Sequence, residues 1–301
     1  MKYAYHYFKA NFKRFILKKA VSATVTSIRK PMIESFVICV PPIEVQKEIV
    51  RILDSFTDLT SELTSDLTSE FTARKKQYEY YRDRLLSFDH MTPEERQSLG
   101  VKSMTLGELF SFKNGLNKGK EYFGRGVPIV NFTDVYNKKR LFASSLNGRV
   151  DVNPEEIDRY SVSKGDVFFT RTSETKEDIG MASVMVDDIK DCVFSGFVLR
   201  ARPITSFLLP EYCSYCFSTK AFREEIIRYS SYTTRALTSG GALSKLVLTF
   251  PSLEEQKRIV GILDMLDSFC NDMNNGLLAE IMARQKQYAY YRDKLLSFEV
   301  T

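Results

Sequence analysis

The stretch that decides the fold is written twice. It reads PPIEVQKEIVRILDSF from Pro41, continued by ARKKQYEYYRDRLLSFD from Ala73. It returns as PSLEEQKRIVGILDML from Pro251, continued by ARQKQYAYYRDKLLSFE from Ala283. The offset is 210 residues with no gap, so a whole structural unit is duplicated. The apolar positions repeat with the letters: Ile49, Ile52, Phe56, Leu59, Leu63 and Leu67 in one copy, and Ile259, Ile262, Leu266, Phe269, Met273 and Leu277 in the other. Steps of three and four put each set on one helix face. The run Leu59, Leu63, Leu67, Phe71 moves only in fours, a stutter in a heptad pattern. About 45 residues rising 1.5 Å each predict a rod about 65 Å long. A lone amphipathic rod cannot bury its stripe, so two matching rods are expected to pair, antiparallel if a domain connects them.

With 301 residues there is room for about two structural units. No run approaches 18 apolar residues and no leader-like stretch opens the chain, so a cytoplasmic protein without a membrane span is expected. Five cysteines fit a reducing compartment. Cys213 and Cys216 form a lone C-x-x-C after Pro210; without a second pair they read as buried small side chains. The net charge of +5 is uneven. Residues 1–40 carry eight Lys/Arg against Glu34, residues 102–250 carry 21 basic against 17 acidic side chains, and the rods are acidic. Any nucleic-acid contact therefore belongs between the rods, which suit protein partners better.

In chain order, residues 1–40 are short of a domain, yet Tyr5, Phe12, Lys13 and Ile16 repeat as Tyr215, Phe222, Arg223 and Ile226. They read as the remnant of a first head whose complete copy occupies 102–250. The first long helix is expected over 41–90, a linker with a helical turn at Thr92–Glu95 over 91–101, and the second long helix over 251–301, opened by a Ser252/Glu255 capping box. Between the helices, strands are expected at Leu106–Phe112, Val127–Phe132, Asp166–Thr170, Met181–Val186, Val193–Arg200 and Lys245–Phe250. Asn114-Gly115 and Asn147-Gly148 read as hairpin turns. Leu208–Tyr229 reads as one or two helices and Ser230–Gly241 as a polar loop. The class is α+β: a strand-rich head on two long antiparallel helices, a coiled coil.

The chain contains no G-x-x-x-x-G-K-[ST] and no G-x-G-x-x-G, and its two histidines lie outside any polar cluster. No catalytic, metal-ligating or cofactor-binding residue is expected. Glu174-Thr175-Lys176 faintly resembles a metal-dependent nuclease triplet, but it sits in a polar run, TRTSETKED, that reads as a loop. The polar loops suit DNA better. Arg171, Thr172, Ser173 and Lys176 make one run, and Tyr232, Thr233, Thr234 and Arg235 a second. Lys113, Asn114, Lys118 and Lys120 make a third, and Asn131 begins a fourth with Lys138 to Arg140. Arg and Asn can read guanine and adenine edges, and Lys, Thr and Ser reach phosphates. Arg171, Arg235 and Lys118 are the leading contacts.

The Glu44–Lys47 and Glu254–Lys257 segments after their prolines, and the KQY…YYRDxLLSF endings at Lys76–Phe88 and Lys286–Phe298, resemble the specificity subunit of type I restriction–modification systems. Val127–Val130, Lys164–Arg171 and Thr233–Leu237 resemble its target recognition domain. The resemblance implies a non-catalytic subunit that reads double-stranded DNA. Two recognition domains held apart by two antiparallel helices would each read half of a bipartite site. Modification (methyltransferase) subunits would dock on the helices and heads, and the restriction subunit would join through them. This chain resembles a truncated member with one complete head, so a second specificity chain is an expected partner for reading a full site. The rival readings are a structural coiled-coil adaptor, an inactive decoy and a nuclease using Glu174 and Lys176.

Overall fold

The structure, a computed structural model, describes residues 1–19 and 28–298. The side chains of Lys19, Met273 and Asn274 lie outside the description, as do residues 20–27 of the expected remnant and 299–301 of the expected last helix. Two compact units emerge, Met1–Lys75 with Phe269–Thr301, and Lys76–Ser268.

The first unit opens with α1 (Lys2–Lys19) and α2 (Lys30–Glu34), then α3 (Ile43–Leu85), whose last ten residues pass into the second unit. Proline just ahead of α3 is tolerated because the first helical N–H groups need no intrahelical partner. The Gln46 side chain closes the entry by donating to the Pro41 carbonyl at 2.8 Å. Tyr3, Ala10, Ile49, Leu53 and Leu296 form the core of this unit, with Tyr288, Leu295 and Phe298 against it. Phe56 stacks on Tyr291 at 5.6 Å. The start of the first rod thus packs on the end of the second.

In the second unit, α4 (Pro93–Ser98) carries a full Thr92/Glu95 capping box. There follow β1 (Lys102–Thr105), α5 (Leu106–Leu109), β2 (Phe110–Asn114), β3 (Phe123–Val130), α6 (Phe132–Asn137), β4 (Arg140–Leu141), β5 (Arg149–Val150) and α7 (Pro154–Arg159). Then come β6 (Val167–Thr170), β7 (Thr172–Ser173), β8 (Ala182–Met185), β9 (Val193–Phe194), β10 (Val198–Pro203), α8 (Pro210–Cys216) and α9 (Lys220–Tyr229). The chain ends with β11 (Ser231–Tyr232), β12 (Ala236–Leu237), α10 (Gly240–Leu243), β13 (Val247–Phe250) and α11 (Leu253–Leu295). The central sheet has the order β2-β10-β6-β8-β4. It is covered on both faces, so all four residues of β6, VFFT, are buried, with the Thr170 hydroxyl satisfied by the Met181 N–H at 2.9 Å. Val167, Phe169, Leu199 and Val184 face one core with Tyr212, Tyr215, Ile259, Leu263 and Phe88. Phe168, Val198 and Met185 face the other with Val130 and Phe194. The end of the first rod therefore shares a core with the start of the second, the antiparallel arrangement met again in the other unit.

Several expectations are corrected. Leu106–Phe112 divides into α5 and β2, because Thr105 and Glu108 cap a helical turn. Val193–Arg200 divides at Ser195–Phe197 into strands of two different sheets. The Ser230–Gly241 loop holds β11, β12 and the start of α10. Neither Asn-Gly makes a hairpin: β2 pairs with β10 and β5 with β3. Gly115 is glycine because the Ser195 carbonyl occupies the space a Cβ would need. At Ser252 only the N–H half of the capping box forms, at 3.5 Å, since Arg258 takes the Glu255 carboxylate at 2.6 Å.

The expected seam is also displaced. Leu53 and Leu263 are fully buried, beside Ile49 and Ile259. Ile52, Phe56, Leu63, Leu67, Ile262, Leu266 and Leu277 are half-buried. Leu59 and Phe269 are 60% and 59% exposed, so the continuous stripe is broken there. Four-residue steps advance a side chain about 40° per step around the helix, which carries the stripe off the seam. Along α3 the hydroxyls of Thr57, Thr60, Thr64, Thr68 and Thr72 each donate to the carbonyl four residues back, at 2.7–2.9 Å. Such bonds satisfy the hydroxyls locally and bend a helix.

Candidate nucleic-acid interface

Strand β6 ends at Thr170, and the chain runs through Arg171 into β7. There Ala236 pairs with Ser173 and Leu237 with Thr172, while β12 also pairs with β11. This small sheet brings together two polar runs that lie about 60 residues apart in sequence. The Arg171 backbone is fixed on both sides: its N–H donates to the Phe197 carbonyl at 3.1 Å, and its carbonyl accepts from Thr238 at 3.0 Å. The Lys176 ammonium lies 4.9 Å from the centre of the Tyr232 ring. Arg235 pairs with Glu174 at 2.9 Å. Thr233, Thr234 and Arg235 are exposed, and Arg171, Thr172 and Ser173 are half-buried. The three cations share this region with the carboxylates of Glu174, Glu177 and Asp178, and with hydroxyls and an aromatic ring beside them they offer a hydrogen-bonding face on which Arg171 and Lys176 can meet an anion.

The other expected contacts sit on different elements. Asn114 is exposed at the end of β2, opposite Leu199 of β10. Lys113 donates to the Arg159 carbonyl at 2.5 Å. Burial, then Arg200, Arg159 and Arg202, hold its ammonium below the usual lysine range. Lys118 is engaged with Glu156 at 2.7 Å and with the Asp151 carbonyl at 3.0 Å, and lies over the Tyr122 ring. Its hydrogen bond, followed by that of the Asn153 backbone, depresses the Glu156 carboxyl below the ordinary value. Lys120 opens an exposed 3-10 turn. Asn131 stands at the N-cap of α6, where its backbone N–H donates to Asp134 at 3.0 Å. Lys118 is thus committed to holding its own turn.

The nuclease triplet is separated by its own pairings: Glu174 accepts from Arg235, and Asp178 accepts from the Thr175 hydroxyl at 2.8 Å. Cys213 and Cys216 are buried in α8. Burial pushes the Cys216 thiol up to about 12, so it is an inert apolar filler. Two features escaped the sequence reading. Arg202 grips the buried Asp166 with two bonds, of 2.7 and 2.8 Å, tying β10 to the turn before β6. Phe197, whose carbonyl holds Arg171, presents its ring to solvent. The K-G-D triplet before β6 signals the first, and the Ser195-Gly196 pair inside an apolar run signals the second.

Residues 1–73 and 99–283 match the family described as Type I restriction modification DNA specificity domain. The chain is 32% identical over 273 residues to the EcoR124I/EcoR124II type I restriction enzyme specificity subunit of Escherichia coli, covering 84% of this chain and 59% of that protein. It thus spans less than two thirds of that relative's length. A putative type I restriction enzyme specificity subunit of Haemophilus influenzae is 30% identical over 305 residues, covering 99% of this chain and 72% of the relative. A solved chain from work on complex assembly and conformational transition of the type I R-M system superposes with a TM-score of 0.76. That match covers 99% of this chain and 71% of the other at 15% identity. The HsdS subunit from Thermoanaerobacter tengcongensis gives 0.54, covering 98% and 69%, also at 15% identity. At that identity the two structures establish the shared fold.

Proposed function

The chain belongs to the type I restriction modification DNA specificity family, and from that premise we propose that it is the DNA-recognition subunit of a type I restriction–modification complex. Its head, residues 102–250, reads one half of a bipartite site in double-stranded DNA. The paired helices act as a spacer and as the docking surface for modification subunits, through which the restriction subunit joins. Methylation and cleavage are carried by those partners, and a second specificity chain supplies another half-site reader. The observation that supports this reading best is the gathering of Arg171, Lys176 and Arg235 on the β7–β12–β11 sheet.

Salt-dependent DNA binding by the full chain provides the test. Each lost phosphate contact lowers the slope of log K against log salt by about 0.9. Arg171→Ala with Arg235→Ala is expected to lower it by nearly two and to weaken binding more than tenfold. Binding and slope equal to the wild type would overturn the reading and favour a structural adaptor.

A further inference from the structure

Phe197 lies at the tip of the turn between β9 and β10, and the residue is 66% exposed. A phenylalanine left in water forgoes the free energy of burying its apolar surface. A flexible tip could fold such a ring back onto the protein, but this turn is pinned. The Val198 N–H donates to the Ser195 carbonyl at 3.0 Å and closes the turn. The Gly196 N–H donates to the Leu116 carbonyl at 2.8 Å, and the Phe197 carbonyl accepts from Arg171. Ser195 bridges to Leu116, and Gly196 leaves no room for a Cβ against the Asn117 side chain. The turn is therefore gripped from the β2 side and from Arg171 at once, and it holds out Phe197, the residue whose carbonyl Arg171 bonds. The described residues supply no partner for the Arg171 guanidinium.

A rigid, solvent-facing ring next to anion-seeking groups fits a ligand that carries both phosphates and flat apolar faces. We infer that Phe197 is the apolar base contact of the interface, inserting at a base step while Arg171 and Arg235 hold the flanking phosphates. Apolar wedges of this kind unstack a base step and kink the duplex. The inference rests on the DNA-recognition reading above.

The chain contains no tryptophan, so Phe197→Trp installs a single reporter at the tip. Ile204→Trp supplies the control. Ile204 is exposed and follows the other end of β10, about 20 Å away at 3.3 Å per residue. Each full-length variant is titrated with a mixed-sequence duplex at low salt, and binding is followed independently by anisotropy of labelled DNA. Indole emission from the Phe197→Trp variant is expected to fall at least twofold at saturation, while that from the Ile204→Trp variant stays constant. Phe197→Ala is expected to weaken binding about tenfold. Saturable, Arg171-dependent binding with unchanged emission from the tip reporter, or wild-type affinity for Phe197→Ala, would overturn the wedge alone. The absence of any Arg171-dependent binding would overturn the wedge and the DNA reading together.

Discussion

Asp54 and Asp264 occupy the same position in the two copies of the repeat, yet they are held differently. Asp264 accepts from Arg140 at 2.7 Å and from the Tyr215 hydroxyl at 2.5 Å, and Tyr215 is only 2% exposed. Burial first, and then the Asp264 bond, raises the Tyr215 hydroxyl far above its usual value. Asp54 instead accepts from Lys2 at 2.7 Å and bonds with His6 at 2.9 Å. Tyr5, the counterpart of Tyr215, is 60% exposed. The preceding helix is continuous in one unit, α1, and divided into α8 and α9 in the other. The rod motif itself is indifferent to this. Gln46 and Gln256 bond the prolines at 2.8 and 2.9 Å, and Tyr80–Tyr81 and Tyr290–Tyr291 meet at 5.5 and 5.4 Å. What differs is supplied by the strand-rich residues, above all Arg140. The helices therefore encode their own entry, and within the second unit Arg140 adds a hold on Asp264 that Asp54 lacks.

The comparison breaks most readily at its two buried leucines. Leu263→Ala opens a void in the large core, with an expected cost of about 3–5 kcal/mol, and Leu53→Ala acts in a smaller cluster better able to collapse, at about 2–3 kcal/mol. Urea denaturation of the two variants checks the order, and equal losses would show that the two copies are equally supported. Asp264→Asn comes next. It weakens two hydrogen bonds to a half-exposed carboxylate and is expected to cost about 1–2 kcal/mol, whereas Asp54→Asn should change the urea midpoint less. The smallest effect is in pH. The Lys2 hydrogen bond, then His6, hold the Asp54 carboxyl below its ordinary 3.8. A depressed carboxyl stabilises the fold above its unfolded value and loses that contribution as pH falls through the depressed one. Asp54→Asn is therefore expected to remove a small loss of stability below about pH 4, read from acid denaturation midpoints.

Much of this contrast was legible in the chain. The repeat announces both rods, and the strands at 167–170, 182–185 and 247–250 follow apolar runs bounded by turns. The small sheet was not legible, because β7, β11 and β12 are two residues long and have no alternation to detect. Its residues nevertheless stand out by their chemistry, and the fold supplies the juxtaposition. The tip of the β9–β10 turn was hidden because one apolar run feeds two sheets. Leu53 and Leu263 do not stand out in the sequence because an ideal stripe through Ile52 and Ile262 counts almost as well. Only packing against α1 and the head selects the neighbouring position.

The central claim is that the head specifies DNA and the rods do not. Genome-wide mapping of methylated sites, in cells expressing the chain with its cognate modification subunits, tests it most directly. Arg171→Ala with Arg235→Ala is expected to abolish methylation at the wild-type motif while complex assembly persists. Methylation of the same motif to the same extent by that variant would contradict the account.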